Sequence, residues 1–265
     1  MKQNTVVFLL TALVALAMAV LIMGVAPLWV VALSGFVFVV GGTFQTAVIS
    51  ENYERVKGVL QWVPRVFAER PGGLEGDEEV FLRVAESYRR GSARRAEGQI
   101  KGLADPFLRQ GAQLVVDRSS REELERSLLW QISAIKEEEK QRLGILYSMA
   151  GFAPAFGMLG TLLGLVRLLF SLGQSGIEVA GASMGFAMIT TVYGLVIANL
   201  VLKPIAIKAE RRSRERLAWW YLKYELLMML YEKEHPTMIK EALHGFIATQ
   251  YNSPNSAQPA LASVS

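Results

Sequence analysis

Three threonines set among glycines are the side chains in this sequence with the clearest capacity to handle an ion. In the stretch Ala153–Val166, APAFGMLGTLLGLV, Gly157, Gly160, Thr161 and Gly164 recur at intervals of three and four, which places them on one face of a helix. Met158, Leu162, Leu165 and Leu169 fall on its other faces. A second stretch repeats the design, with Ala180, Ser183, Ala187, Thr190, Thr191, Gly194 and Ala198 at helical spacing. A hydroxyl donates one proton and offers two lone pairs, so two such faces could line an ion path. They could equally be packing surfaces, because small residues let helix backbones approach closely and threonine often bonds back to its own helix. Spacing alone leaves both readings open.

What is missing narrows the chemistry. Moving a proton or sodium ion through a bilayer usually uses an intramembrane carboxylate or histidine, yet no Asp, Glu or His lies inside the apolar runs around these threonines. If the chain conducts, another chain supplies the ionisable group. No phosphate-binding loop, HExxH or other compact catalytic motif is present. The two histidines, His235 and His244, stand without a metal-ligand constellation, and the absence of cysteine leaves no disulfide or thiolate chemistry. The expectation is a protein that is not an enzyme and holds no cofactor or metal.

Hydrophobicity is segregated along the 265 residues, whose mean hydropathy is +0.29. Residues 5–50 carry no charged side chain, and residues 143–203 carry only Arg167, Glu178 and Lys203. A transmembrane helix needs about 20 apolar residues, and four runs reach that length: Thr5–Ala26, Leu28–Ile49, Ile145–Leu169 and Val179–Leu202. Lys2 followed by an apolar run also has the form of a signal peptide, with Ala15-Leu16-Ala17 as a cleavage pattern. Against that, these small residues lie in the middle of the run, and a second span follows at once. Of the 28 Lys and Arg, 17 lie in residues 51–147, nine from Lys203 onward, and the others are Lys2 and Arg167. The positive-inside rule then puts the central segment and both termini in the cytoplasm. The short links near Pro27 and at 173–178 face outward. Topology accounts for the net charge of +4 with no nucleic-acid partner. Arg167, near the outer end of the third run, can snorkel to the headgroups.

The expected architecture is an all-α membrane protein of four transmembrane helices with a helical cytoplasmic domain. It divides into an N-terminal transmembrane hairpin at 1–50, a cytoplasmic helical loop at 51–142, a second hairpin at 143–203, C-terminal cytoplasmic helices at 204–250 and a disordered tail at 251–265. Within the loop, helices are expected over Glu51–Phe67, Asp77–Leu103 and Ser120–Leu143, with a break at Pro71-Gly72-Gly73. Leu124, Leu128, Ile132 and Ile135 make one stripe, and Ser120 with Glu123 forms a capping box. Leu217, Tyr221, Tyr224, Met228 and Tyr231 are spaced as one face of the last long helix. Pro154 and Pro204, near the cytoplasmic ends of the third and fourth runs, each remove a backbone donor and serve either to set a helix angle or as a pair of hinges. The run Arg89, Arg90, Arg94 and Arg95, with Glu97 beside it, is either a solvated face or a docking surface for a charged partner.

Several blocks together resemble the flagellar-motor stator A subunits, proton-driven MotA and sodium-driven PomA, of the MotA/TolQ/ExbB channel family. They are Gly41-Gly42-Thr43, the run from Pro154 to Leu165, and Thr190-Thr191-Val192-Tyr193-Gly194 with Ala198-Asn199-Leu200 and Pro204. The resemblance implies a bacterial inner-membrane protein in which five copies surround two copies of a B subunit. That B subunit carries the missing aspartate on its one transmembrane helix and grips the cell wall outside. It implies that Thr161, Thr190 and Thr191 line the path of H+ or Na+, that Pro154 and Pro204 couple conformational change, and that Gly157, Gly160, Gly164, Ala187 and Gly194 pack against a partner. It also implies that the cytoplasmic loop pushes the rotor switch protein through Arg94 and Arg95. The family pattern of arginine, glycine and then Leu-Glu is met at Arg95 and Gly98, but Gly102-Leu103 stands where Leu-Glu is expected, and Asp105 is the nearest acid. An ExbB or TolQ-like channel energising the outer membrane is the alternative. Such proteins lack the N-terminal hairpin.

Overall fold

The computed structural model describes residues 9, 11–15, 28–68, 74, 76–171 and 177–252, and no strand occurs among them. The helices are α1 (Leu28–Ser50), α2 (Tyr53–Ala68), α3 (Asp77–Arg89), α4 (Ala93–Ile100), α5 (Pro106–Val116), α6 (Arg121–Ser171), α7 (Ile177–Val196), a π-helical turn (Ile197–Leu202), α8 (Lys203–Tyr231) and α9 (Pro236–Asn252). Three of them are long and apolar enough to cross a bilayer, over Trp29–Ser50 and within Arg121–Phe170 and Val179–Tyr231. The protein is thus an all-α, multi-pass membrane protein with a helical cytoplasmic domain. The expected first span at 5–26, the links at Pro27 and 173–176, the break at 71–73 and the tail from 253 lie wholly or largely outside the described residues.

Residues 1–68 with 140–210 form one compact unit, and residues 69–139 with 211–265 form a second. In the first, α1 packs on α7 through aromatic rings, Phe38 lying 6.2 Å from Phe186 and 5.9 Å from Phe156. Gly42 makes room for the second of these rings, because a Cβ there would lie 2.3 Å from the Phe156 ring. Thr43 is buried and donates to the Val39 carbonyl at 2.7 Å, so the Gly-Gly-Thr block of α1 is a packing device. A further cluster joins Val56, Val59, Trp62 and Val66 of α2 to Ile145, Leu146 and Met149 of α6 and Ala206 and Ala209 of α8.

The second unit has its own core, with Phe81, Ile100, Leu108, Leu124, Leu128, Ile132, Leu226, Leu227 and Leu230 buried together. Ser120 and Glu123 exchange the two hydrogen bonds of a capping box at the start of α6. Two local expectations need correction. The helix expected over Asp77–Leu103 is two helices, because the chain turns at Gly91 with φ 80°, a conformation glycine adopts without steric cost. On α8 the deepest side chains are Leu222, Leu226, Leu227 and Leu230, with the tyrosines at the margin. A phenol keeps its hydroxyl near water, whereas leucine has nothing to solvate.

Between α4 and α5 a short polar network holds the backbone. Buried Asp77 accepts hydrogen bonds from the Ala104 and Asp105 amides at 2.7 and 2.8 Å. Asp105 in turn caps α5 by accepting from the Phe107 and Leu108 amides, both at 3.0 Å, and is paired with buried Lys223. Arg109 donates to the Leu103 carbonyl at 2.6 Å. Replacing Asp77 by alanine orphans two amides, and each buried unsatisfied group costs about 1–3 kcal/mol. Asp77→Ala should therefore lower stability by about 2 kcal/mol, read as a lower melting temperature of the detergent-purified chain, and Asp77→Asn should recover part of the loss.

Candidate functional site

The glycine face of α6 and the small-residue face of α7 meet each other within this chain. A Cβ on Gly157 would lie 3.0 Å from the Thr190 carbonyl oxygen, and one on Gly160 would lie 2.6 Å from the Thr190 hydroxyl. At Gly164 it would lie 2.7 Å from both the Ser183 carbonyl oxygen and the Ala187 Cβ, and at Gly194 it would lie 2.8 Å from the Ala153 carbonyl oxygen. Gly157, Gly160, Gly164, Ala187 and Gly194, expected to pack against a partner, bring α6 and α7 of one chain together.

That close approach places two hydroxyls together. The Thr161 and Thr191 hydroxyl oxygens are in direct hydrogen-bond contact. Thr161 Oγ1 also lies 3.1 Å from the carbonyl oxygens of both Gly157 and Ala187, and Thr191 Oγ1 lies 3.4 Å from the same two. Two hydroxyls and two carbonyls thus form one cluster of four oxygens, and the Ala187 carbonyl in it also lies 3.0 Å from the Thr190 hydroxyl; the two threonine oxygens keep lone pairs free to accept. Both threonines are half-buried rather than sealed. Such a cluster can accept a hydrogen bond from a protonated donor or contribute oxygen ligands to a hard cation.

Thr190 touches this cluster only through the Ala187 carbonyl and meets neither of the other two hydroxyls. It is fully buried, its hydroxyl 3.0 Å from the Phe186 and Ala187 carbonyls of its own helix. Its methyl group fills the space beside Gly35 of α1 and Gly160 of α6. The three threonines expected to act alike therefore divide into a half-buried pair and a buried packing residue. The outer faces of the two spans are apolar and exposed, with Met158, Leu162 and Leu169 on α6 and Met184, Met188 and Val192 on α7.

The prolines differ in what they do to the backbone. Helix α6 runs unbroken through Pro154. Pro204, which is exposed, follows the π-helical turn Ile197–Leu202, where the Lys203 amide reaches back to the Ala198 carbonyl. A proline offers no amide to the preceding turn and crowds it, and a widened π turn accommodates that. Near it, Lys203 Nζ donates to Asn199 Oδ1 at 2.8 Å, and Asn199 Nδ2 donates to the Leu195 carbonyl at 3.1 Å.

The arginine run also divides. Arg89 and Arg90 pair with Glu86 on α3, whereas Arg94 and Arg95 on α4 are exposed and make no hydrogen bond or ion pair among the described residues. Glu97 is the exposed acid beside them. Asp105 is not available to that surface, because it caps α5 and pairs with Lys223. The pair Asp105-Pro106 was a legible signal for α5, since aspartate favours the N-cap and proline the first helical position. No cluster of three or more His, Cys, Asp or Glu that could hold a metal occurs among the described residues.

Comparison with known proteins places this geometry. The model of the MotA/TolQ/ExbB proton channel family matches residues 99–221. Motility protein A of Borreliella burgdorferi is 28% identical over 221 residues, 83% of this chain and 84% of that one. Among solved structures, C. jejuni MotAB superposes with a TM-score of 0.71 at 22% identity, covering 93% of this chain and 96% of the other. The flagellar MotAB stator complex from Bacillus subtilis gives a TM-score of 0.70 at 21% identity, covering 84% and 87%. These two likenesses establish a shared fold.

Proposed function

Because this chain belongs to the MotA/TolQ/ExbB proton channel family, we propose that it is the A-type stator subunit of a bacterial flagellar motor, which conducts protons or sodium ions and converts the flux into torque. The observation that carries this reading is the Thr161–Thr191 hydroxyl pair with its two shared carbonyls, set in spans that hold no carboxylate of their own. The pair is half of an ion site. The other half is an aspartate on the transmembrane helix of a B-type subunit, with five copies of this chain around two of the partner. Relatives named as motility and chemotaxis proteins support the motor reading over a channel that energises the outer membrane.

In this reading four spans cross the inner membrane with both termini in the cytoplasm, the first of them at 5–26. The π turn before Pro204 and the proline of α6 carry conformational change toward the cytoplasmic helices, and Arg94 and Arg95 contact the rotor switch protein. The chain is a channel and stator subunit and not an enzyme. Co-expression with the neighbouring B-type gene, its plug removed, should acidify the cytoplasm or raise its sodium content. Absence of any flux would sink the proposal. Swimming speed with and without sodium, and with a protonophore, identifies the ion.

Arg95→Glu tests the rotor contact. Both arginines are exposed and unpaired among the described residues, so reversal leaves the core intact and acts only on association, where exposed charges set steering and register. Swimming should fall severalfold while ion flux through the unplugged complex stays at the wild-type level. Equal loss of flux would contradict a role in docking.

A further inference from the structure

Helix α2 begins directly after the span α1 ends at Ser50, which keeps its start at the membrane boundary. Its inward face, Val56, Val59, Trp62 and Val66, is buried. The opposite stripe runs Lys57, Leu60, Gln61, Pro64 and Phe67 at intervals of three and four, and every member is exposed, Leu60 and Phe67 at 45% each. Lys57 and Arg65 make no ion pair or hydrogen bond among the described residues. Lys208 of α8, in the same compact unit, stands 4.0 Å over the Phe67 ring.

These features specify an environment. Large exposed apolar side chains beside unpaired cations characterise helices that lie in a bilayer interface. Pro64 supplies no amide to the Leu60 carbonyl. Such an oxygen is costly in hydrocarbon and tolerable where water or headgroups reach it. We propose that the outer face of α2, together with Lys208, lies in the headgroup layer and binds anionic phospholipid. Lys57, Arg65 and Lys208 meet the phosphates, and Leu60 and Phe67 enter the acyl boundary. The proposal needs only that α1 spans the bilayer, so it stands or falls separately from the stator reading.

The test uses the full chain, which has no cysteine, so Gln61→Cys gives a single attachment point for a spin label. In nanodiscs of equal phosphatidylcholine and phosphatidylglycerol, the label should collide with lipid-soluble oxygen more than with a water-soluble nickel chelate. A control label from Glu241→Cys on α9 should show the reverse. A label at position 61 that behaves like the control, or one shielded from both reagents by another protein, overturns the proposal. For the anionic preference, the ratio of phosphatidylglycerol to phosphatidylcholine retained by the purified chain is measured by mass spectrometry. It should drop in K57E/R65E/K208E, by up to about fivefold per cation, and hold in the equally charged control R126E/K136E/K240E. An unchanged ratio in the first variant, or an equal drop in the control, overturns the claim.

Discussion

Gly164→Val is expected to force α6 and α7 apart and to abolish motility. A single Cβ at this position already comes within 2.7 Å of the Ser183 carbonyl oxygen and the Ala187 Cβ, and a backbone oxygen cannot rotate out of the way. Overpacking a tight contact costs about 1–3 kcal/mol, and a clash against backbone with a branched side chain belongs at the upper end. The separation would also dissolve the four-oxygen cluster, since Thr161 reaches the Ala187 carbonyl across this same contact. Melting of the detergent-purified chain, followed by tryptophan fluorescence, should shift down by several degrees, and cells carrying the variant should not swim. Gly151→Ala is the comparison, because a Cβ there meets nothing within 4 Å in this chain and alanine favours a helix by up to about 1 kcal/mol. A Gly164→Val chain that melts like the wild type would show that the spans do not need this approach.

Thr191→Val should leave the complex assembled and cut ion flux by about tenfold or more. Valine keeps the shape of threonine and deletes the hydroxyl, so the contact with Thr161 and both shared carbonyls loses one of its four oxygens. A hydrogen bond to a charged group contributes about 1.5–3 kcal/mol, and each 1.4 kcal/mol is tenfold in a rate. Thr191→Ser, which restores the oxygen, should conduct near the wild-type rate. Thr190→Val should be milder in the same assay, because that hydroxyl touches neither Thr161 nor Thr191, reaching the cluster only through the Ala187 carbonyl of its own helix, and its methyl packing survives the change. Equal flux defects at Thr190 and Thr191 would contradict the division the structure draws between them. Wild-type flux in Thr191→Val would remove the hydroxyl pair from the ion path.

The long apolar runs, the capping box at Ser120 and the buried stripe through Leu124, Leu128 and Ile132 were all legible from the chain, because each is a local pattern at helical period. Locally encoded turns were legible in principle but easily passed over. Gly91 splits one expected helix into two, and Asp105-Pro106 opens another. Both signals are single residues inside stretches whose hydrophobic periodicity continues across them. Asp105 shows the limit for charged residues: it is the nearest acid to the family position after Arg95, while its actual partners lie two residues on at Phe107 and far along the chain at Lys223.

The sequence by itself determined that the threonine-bearing faces exist, since side-chain direction along a helix follows from residue number alone. It also determined that no carboxylate accompanies them. Only the tertiary structure decided which hydroxyls meet. Thr190 and Thr191 are adjacent in the chain and identical in chemistry, yet helical rotation turns one into the junction of α1, α6 and α7 and the other toward Thr161. The glycines, whose missing Cβ atoms let two backbones close to contact, set that register. A contact between helices depends on the distance at which they pack, and no spacing within either helix encodes it.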